Sequence, residues 1–266
     1  MNDGFSESSA FNVLKWSFAI LVAIFMAAPS FIVVPMSFSS AEMMQFPPAE
    51  YSLRWYRNFF TSNIWTDAAK ASLTAAILTM AIAVPTGTFA AYGTMKLGRK
   101  VRVLIGGLIV LPALIPVILI SIGLFFVLSR IGMVGTMAGL VAGHVSLAIP
   151  VVYVVMTAAF SQFDYSHEKA ARSLGASWAQ SWLLVVLPQM TGPIVASAVL
   201  AFVTSLDEVV IAMFVSGGSN ATLPKVMFTA LRDTVDPTIA VVSTALLLVA
   251  SITVVVAVRK GNYGRR

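Results

Sequence analysis

MVGTMAGLVAGHVSLAIPVVYVVMTAAF, residues 133–160, runs for 28 residues without one charged side chain. A helix of that length rises about 42 Å, more than the roughly 30 Å of hydrocarbon in a bilayer. The run is continuous rather than alternating, so it does not read as a strand of a membrane barrel. Five further runs have the same character: 13–36, 71–95, 103–128, 190–216 and 238–258. Lys15 stands near the start of the first. Lys96, Arg99, Lys100 and Arg102 close the second, Arg130 follows the third, and Arg259 and Lys260 stop the last. The fifth is apolar apart from Asp207 and Glu208. The expected fold class is all-α integral membrane: one transmembrane domain over 1–266, with about six helices.

Composition agrees with that reading. Of 266 residues, 58% are hydrophobic and 11% charged, with a mean hydropathy of +0.89. Soluble domains are nearer a quarter charged. The absence of cysteine excludes a disulfide scaffold, thiolate metal sites and a cysteine nucleophile. Two histidines, His144 and His167, are too few for a histidine-rich metal site, and no metal is expected. No GxxxxGK[ST], nucleophile elbow or HExxH occurs. No catalytic residue and no cofactor of the chain's own is therefore expected. Energy for any active transport has to come from another polypeptide or from an ion gradient.

Orientation follows from lysine and arginine placement. With the N-terminus inside, Lys15, Lys96, Arg99, Lys100, Arg102, Lys169, Arg172, Arg259, Lys260, Arg265 and Arg266 fall on the cytoplasmic side. Arg54, Arg57, Lys70, Arg130, Lys225 and Arg232 fall outside, so the count is 11 against 6. Both termini are expected in the cytoplasm, and the net charge of +6 needs no nucleic acid to explain it. The first run is about twice the length of a signal-peptide core and is preceded by Asp3 and Glu7, so it reads as a retained helix. Trp55, Tyr56, Phe59, Phe60 and Trp65, in the longest outer segment, read as an interfacial aromatic belt.

The segment 161–189 contains DYSHEKAARSLGASWAQSWLLVVLP at 164–188. Ser166 can cap a helix with Glu168 in its first turn, and Glu168 with Arg172 has the i, i+4 order of an ion pair. Gly175 supplies a left-handed stop, and Ser177 with Gln180 makes a capping box for a second helix running to Pro188. Ala170, Ala171, Gly175 and Ala176 keep the outer surface small, as suits a knob entering a groove on another protein. These signals alone are equally those of an ordinary cytoplasmic hairpin.

Lys169-Ala170-Ala171, then Gly175, then Val185-Val186-Leu187-Pro188, resembles the EAA loop of ABC importer permeases (EAA, three residues, G, nine residues, I-x-L-P). In that family the motif's glutamate is expected to meet a basic residue of the ATPase. Here Lys169 takes its position and Glu168 stands one place earlier, a rotation of about 100° on a helix; both are candidates for the role. The resemblance extends over most of the chain. Arg54-Trp55-Tyr56-Arg57-Asn58-Phe59 is similar to the aromatic segment before span two. Ser205-Leu206-Asp207-Glu208-Val209-Val210 with Phe214-Val215-Ser216-Gly217, then Leu223-Pro224 and Asp236-Pro237-Thr238, resembles the second permease of spermidine/putrescine importers.

That resemblance implies half of a translocation pathway for a polyamine-type cation in a bacterial inner membrane. It also implies as partners a homologous permease forming a heterodimer, two ATP-binding subunits that hold ATP and magnesium, and a periplasmic or lipid-tethered solute-binding protein. One alternative cargo is another amine or amino-acid-like solute, such as an opine or 4-aminobutyrate. A stand-alone channel or secondary carrier is the other alternative, against which no internal repeat is evident.

Asp207 and Glu208 sit in an apolar run, where each charge costs on the order of 2.5–3.5 kcal/mol on insertion scales. On a continuous helix they would lie about 13 Å below its outer end and about 100° apart. Thr204 would share their polar stripe. One carboxylate is expected to face the pathway and pair with an ammonium, the other a neighbouring helix or the outer gate. A packing or water-cavity role is the alternative. Gly135, Gly139 and Gly143 read as a close-packing ridge on span four, with His144 a packing residue beside it. Pro112 and Pro116 should kink or interrupt span three.

Overall fold

The computed structural model describes residues 9–263, with side chains over 11–255. Asp3, Glu7, Arg265 and Arg266 therefore lie outside the described residues, as do the side chains of Arg259 and Lys260. Among the described residues, four helices are long and apolar enough to cross a membrane: α1 (Ser9–Met36), α3 (Asn63–Met95), α6 (Met137–Ser161) and α13 (Thr238–Tyr263). Two bent pairs bring the number to six if each is one span. The first joins α4 (Arg99–Leu114) to α5 (Val117–Arg130) at 96°. The second joins the helical stretch Trp178–Gln189 to α10 (Thr191–Leu206) at 75°.

The first bend shows which proline breaks the helix. Pro116 pushes Ile115 into an extended conformation (φ −87°, ψ 135°), because a proline ring crowds the helical region of its predecessor. Pro112 stays inside α4. Span three is therefore not one straight rod, and α4 and α5 rise only about 24 and 21 Å each.

The centre of the bundle is α3 packed along α6, with α10 lying against both and α13 against α10. Small residues make this approach possible. Ala68, Ser72, Ala75, Thr79, Ala83, Gly87 and Ala91 recur at three- and four-residue spacing on α3, and all are buried. In a membrane, where no water drives apolar faces together, such a stripe lets backbones approach and gain dispersion contact. A Cβ on Gly87 would lie 2.7 Å from Val152 Cγ1. The ridge expected on span four differs. Gly135 precedes α6 in a left-handed loop (φ +78°), where its N–H donates to Val215 O at 2.8 Å. Gly139 meets the Met133 backbone, and only Gly143 packs on another helical segment, against Ile211. His144 is a packing residue: its Nδ1 lies 2.7 Å from Ser205 Oγ, which donates to Thr79 at 3.3 Å.

The end of the bundle where α3 begins is covered by the amphipathic helices α2 (Arg54–Thr61) and α12 (Leu223–Asp233). Pro224 opens α12 in the first turn, where its missing N–H costs nothing. Part of the aromatic segment also packs against the bundle. Trp65 is buried with Ala68, Leu223, Ile239 and Val242. Tyr56 hydrogen-bonds Ser37, Trp55 donates to Ala41 O, and Asn58 donates to Thr238, while Phe60 stays exposed.

Replacing Gly87 by alanine is expected to destabilise the α3–α6 contact by about 1–3 kcal/mol. It should be read as a Tm lower by several degrees in detergent. Gly93→Ala on the same helix, with nothing within 4 Å of its added carbon, should not lower Tm.

Candidate functional site

The hairpin at the opposite end of the bundle is built by two local capping systems. Asp164, not Ser166, caps α7 (Tyr165–Ser173): its carboxylate accepts from Ser166 N–H at 2.9 Å. That bond, helped less by His167 and Lys169 nearby, holds the Asp164 carboxyl below its ordinary range. At the other end Gly175 takes φ +93°. Its N–H donates to Arg172 O and that of Ala176 to Ala171 O, both at 3.1 Å, the paired bonds of a Schellman stop. Ser177 Oγ then accepts from Gln180 N–H while Gln180 Oε1 accepts from Ser177 N–H, a complete capping box opening α8 (Trp178–Ser181). α8 passes through a π turn, Trp182–Val186, into the short α9 (Leu187–Gln189). Pro188 accounts for the π turn. Proline has no N–H for Leu184 and its ring clashes with that carbonyl in a regular helix, so the widened turn relieves both.

Glu168 does not pair with Arg172. It is buried, 4% exposed, and turned towards the end of α3. Tyr92 donates to Glu168 Oε1 at 2.5 Å, and Lys96 Nζ approaches the same oxygen at 3.1 Å while also donating to the Tyr92 hydroxyl. Burial alone would lower the Lys96 ammonium, but its hydrogen bonds to Tyr92 and Glu168 outweigh this and raise it above its ordinary value. Aromatic rings continue the attachment. Trp182 stacks on Phe89 at 4.7 Å and meets Tyr92 edge-on, while Phe163 links Phe160 on α6 to Tyr165 on α7. One charged triad and one aromatic cluster thus fix the hairpin to α3 and α6. Lys169, Ala170, Gly175 and Pro188 remain exposed on its outer side, and Ala171 is half-buried.

The second group of residues sits where the chain unwinds. α10 stops at Leu206, and α11 (Val210–Val215) starts only after Asp207, Glu208 and Val209. The two carboxylates are therefore not on one continuous helix, and the angle and depth expected from such a helix do not apply. Glu208 Oε1 accepts from Ile211 N–H at 2.9 Å, satisfying a donor that the first turn of α11 leaves open and complementing its dipole. Asp207 stays exposed, in a cleft of about 270 Å³ lined also by Val203, Leu206, Leu246, Leu247 and Ala250. Thr204 is half-buried and hydrogen-bonds neither carboxylate. Sequence reasoning missed the break because α10 and α11 are both apolar; the adjacent acids were the signal. Lys225 on α12 steadies the far side by donating to Ser216 O beyond the end of α11.

Removing Lys96 alone (Lys96→Met) leaves a buried carboxylate short of its cation and is expected to cost about 1–3 kcal/mol. Glu168→Gln together with Lys96→Met should cost less than the sum of the two single changes in a thermal-unfolding cycle. Additive losses would mean that the pair is not coupled. Gly175→Asn should leave thermal unfolding near normal, whereas Gly175→Val should lower the Tm by several degrees. With nothing within 4 Å of its Cβ, the difference reflects left-handed backbone rather than bulk.

Comparison with known proteins places this geometry. The family described as binding-protein-dependent transport system inner membrane component matches residues 83–261, well over half of the chain. The putrescine transport system permease protein PotI of Escherichia coli (strain K12) is 30% identical over 241 residues, covering 87% of this chain and 85% of that protein. The spermidine/putrescine transport system permease protein PotC of Haemophilus influenzae is 26% identical over 253 residues, covering 94% and 98%. A chain from the crystal structure of a bacterial ABC transporter involved in the import of the acidic polysaccharide alginate matches with a TM-score of 0.70 at 15% identity, over 96% of each chain, which speaks for the fold alone. The helical bundle, the capped hairpin between α6 and α10, and the extent of these matches lead to one conclusion: the chain belongs to the binding-protein-dependent transport system inner membrane components, a family of transport permeases.

Proposed function

We propose that this permease carries a polyamine-type cation, putrescine or spermidine, through half of a pathway it shares with a homologous permease. The observation that carries the reading is the unwound turn at Asp207. A helix ending inside an apolar run presents free carbonyls and the negative end of its dipole, and both favour a cation. Irregular backbone at membrane depth is tolerated where it lines a cavity or is buried in protein. Asp207 lies at that helix end with its side chain in a cleft. Glu208 is committed to capping α11, so Asp207 is the carboxylate available to an ammonium and Glu208 the one that holds the turn open. The names of PotI and PotC agree with a polyamine cation as cargo.

In this reading the chain does no chemistry. ATP and magnesium are held by two ATP-binding subunits that receive the hairpin between α6 and α10. A periplasmic or lipid-tethered binding protein delivers solute at the end covered by α2 and α12. The lysine and arginine bias then puts the hairpin and both termini in the cytoplasm. The two permeases form a heterodimer, and the ATP-driven closing of the motor rocks the spans between outward- and inward-facing states.

Asp207→Asn is expected to lower uptake of labelled putrescine by whole cells about 10-fold or more, the scale of one charged hydrogen bond, at normal subunit levels. Glu208→Gln should cost less, because a neutral amide oxygen still accepts from Ile211. Uptake that stays normal in both variants contradicts the assignment. Equal loss of putrescine and 4-aminobutyrate uptake would leave Asp207 in the pathway and widen the cargo to other amines.

A further inference from the structure

We infer that the hairpin docks on a surface of the ATP-binding subunit that is acidic opposite Lys169 and Arg172, so that the motor supplies the carboxylates and this permease the cations. The inference deepens the proposed function and rests on its reading of the hairpin as the docking element. Its starting point is where the charges of α7 go. Glu168 is buried and engaged by Tyr92 and Lys96, so it has no oxygen to offer a partner without breaking the attachment of the hairpin to α3. Asp164 is spent on the first turn of α7, at the far end from the elbow.

Lys169 and Arg172 are the cations of α7 left outside, with the exposed Asp164 an electrostatic neighbour of Lys169. They stand three residues apart, hence on one face of the helix, and both are exposed. They line a cleft of about 410 Å³ with Met95, Lys96, Tyr165 and Glu168. Neither has an ion-pair partner among the described residues. Beyond them the elbow projects Leu174, 89% exposed, and Trp178 at the start of α8, 47% exposed. The outer surface thus has an apolar tip beside a pair of cations, with Ala170 and Gly175 leaving room for close approach. Its complement is a groove with an apolar floor and an acidic rim.

An anionic lipid surface shares part of that chemistry. The structure favours a shaped protein groove, because the elbow is held rigid by a Schellman stop on one side and a capping box on the other. Ordering of that kind lowers the cost of fitting a defined partner and adds little on a fluid surface.

The test uses the whole transporter, solubilised with its ATP-binding subunits. Charge reversal, Lys169→Glu with Arg172→Glu, should reduce retained ATP-binding subunit about 10-fold or more, since like charges across an interface cost several kcal/mol. Unchanged thermal unfolding of the permease shows that it still folds. The neutral pair Lys169→Gln with Arg172→Gln should fall between. Wild-type retention should weaken as ionic strength rises from about 0.1 to about 1 M, which shortens screening from about 10 to 3 Å. Reversing the matching acids of the ATP-binding subunit to lysine should restore the charge-reversed permease. Wild-type retention by the charge-reversed permease overturns the inference. So does retention that stays intact while reconstituted transport loses a dependence on phosphatidylglycerol over phosphatidylcholine vesicles, which assigns the cations to lipid. If the wild-type permease itself retains no ATP-binding subunit, the docking role of the hairpin fails first, and the inference with it.

Discussion

A carboxylate withdrawn from water must find charge and hydrogen bonds close by, and Glu168 finds them on a different helix. Its partners, Tyr92 and Lys96, stand one turn apart at the end of α3. Burying an unpaired charge costs several kcal/mol, so the position of α7 relative to α3 is set by the need to keep that charge paired. The aromatic stack around Trp182 then fixes the second helix of the hairpin against the same two spans. Two unlike interactions hold one small element. Force applied at the elbow is therefore passed to α3 and α6 rather than lost in a loop.

The opposite requirement governs α10. Here the backbone is left unwound, and the cost of doing so is met locally by Glu208, which caps α11, and by Lys225, which donates to the carbonyl beyond its end. The polar chain from His144 through Ser205 to Thr79 ties the last turn of α10 to α3 and α6. The break is thus a supported feature of the bundle. One acidic residue serves it structurally, and the adjacent one is left facing the cleft.

Much of the membrane fold was legible because charge-free runs of that length have few other uses. The glycine elbow and the capping box were equally readable, since positive φ and reciprocal side-chain caps are local properties. What could not be read were distant pairings. Glu168 looked like the i, i+4 partner of Arg172, and nothing local says that Lys96, 72 positions earlier, competes for it. The break after Leu206 was hidden by apolar residues on both sides, and hydropathy cannot tell one span from two shorter pieces. The small-residue stripe of α3 stands in the sequence at regular spacing, but it carries no glycine run as conspicuous as that of span four, of which Gly135 lies outside the helix.

The absence of cysteine makes the central claim, that hairpin and spans move as one rigid body, directly measurable by labelling. Spin labels at Leu174→Cys, on the tip of the elbow, and Ile77→Cys, on the exposed side of α3, report the distance between them within one permease. The account predicts the same distance distribution in the assembled transporter with ATP bound and without it, while distances between the two permeases change. A shift of several ångströms within the single chain between those two states would contradict it.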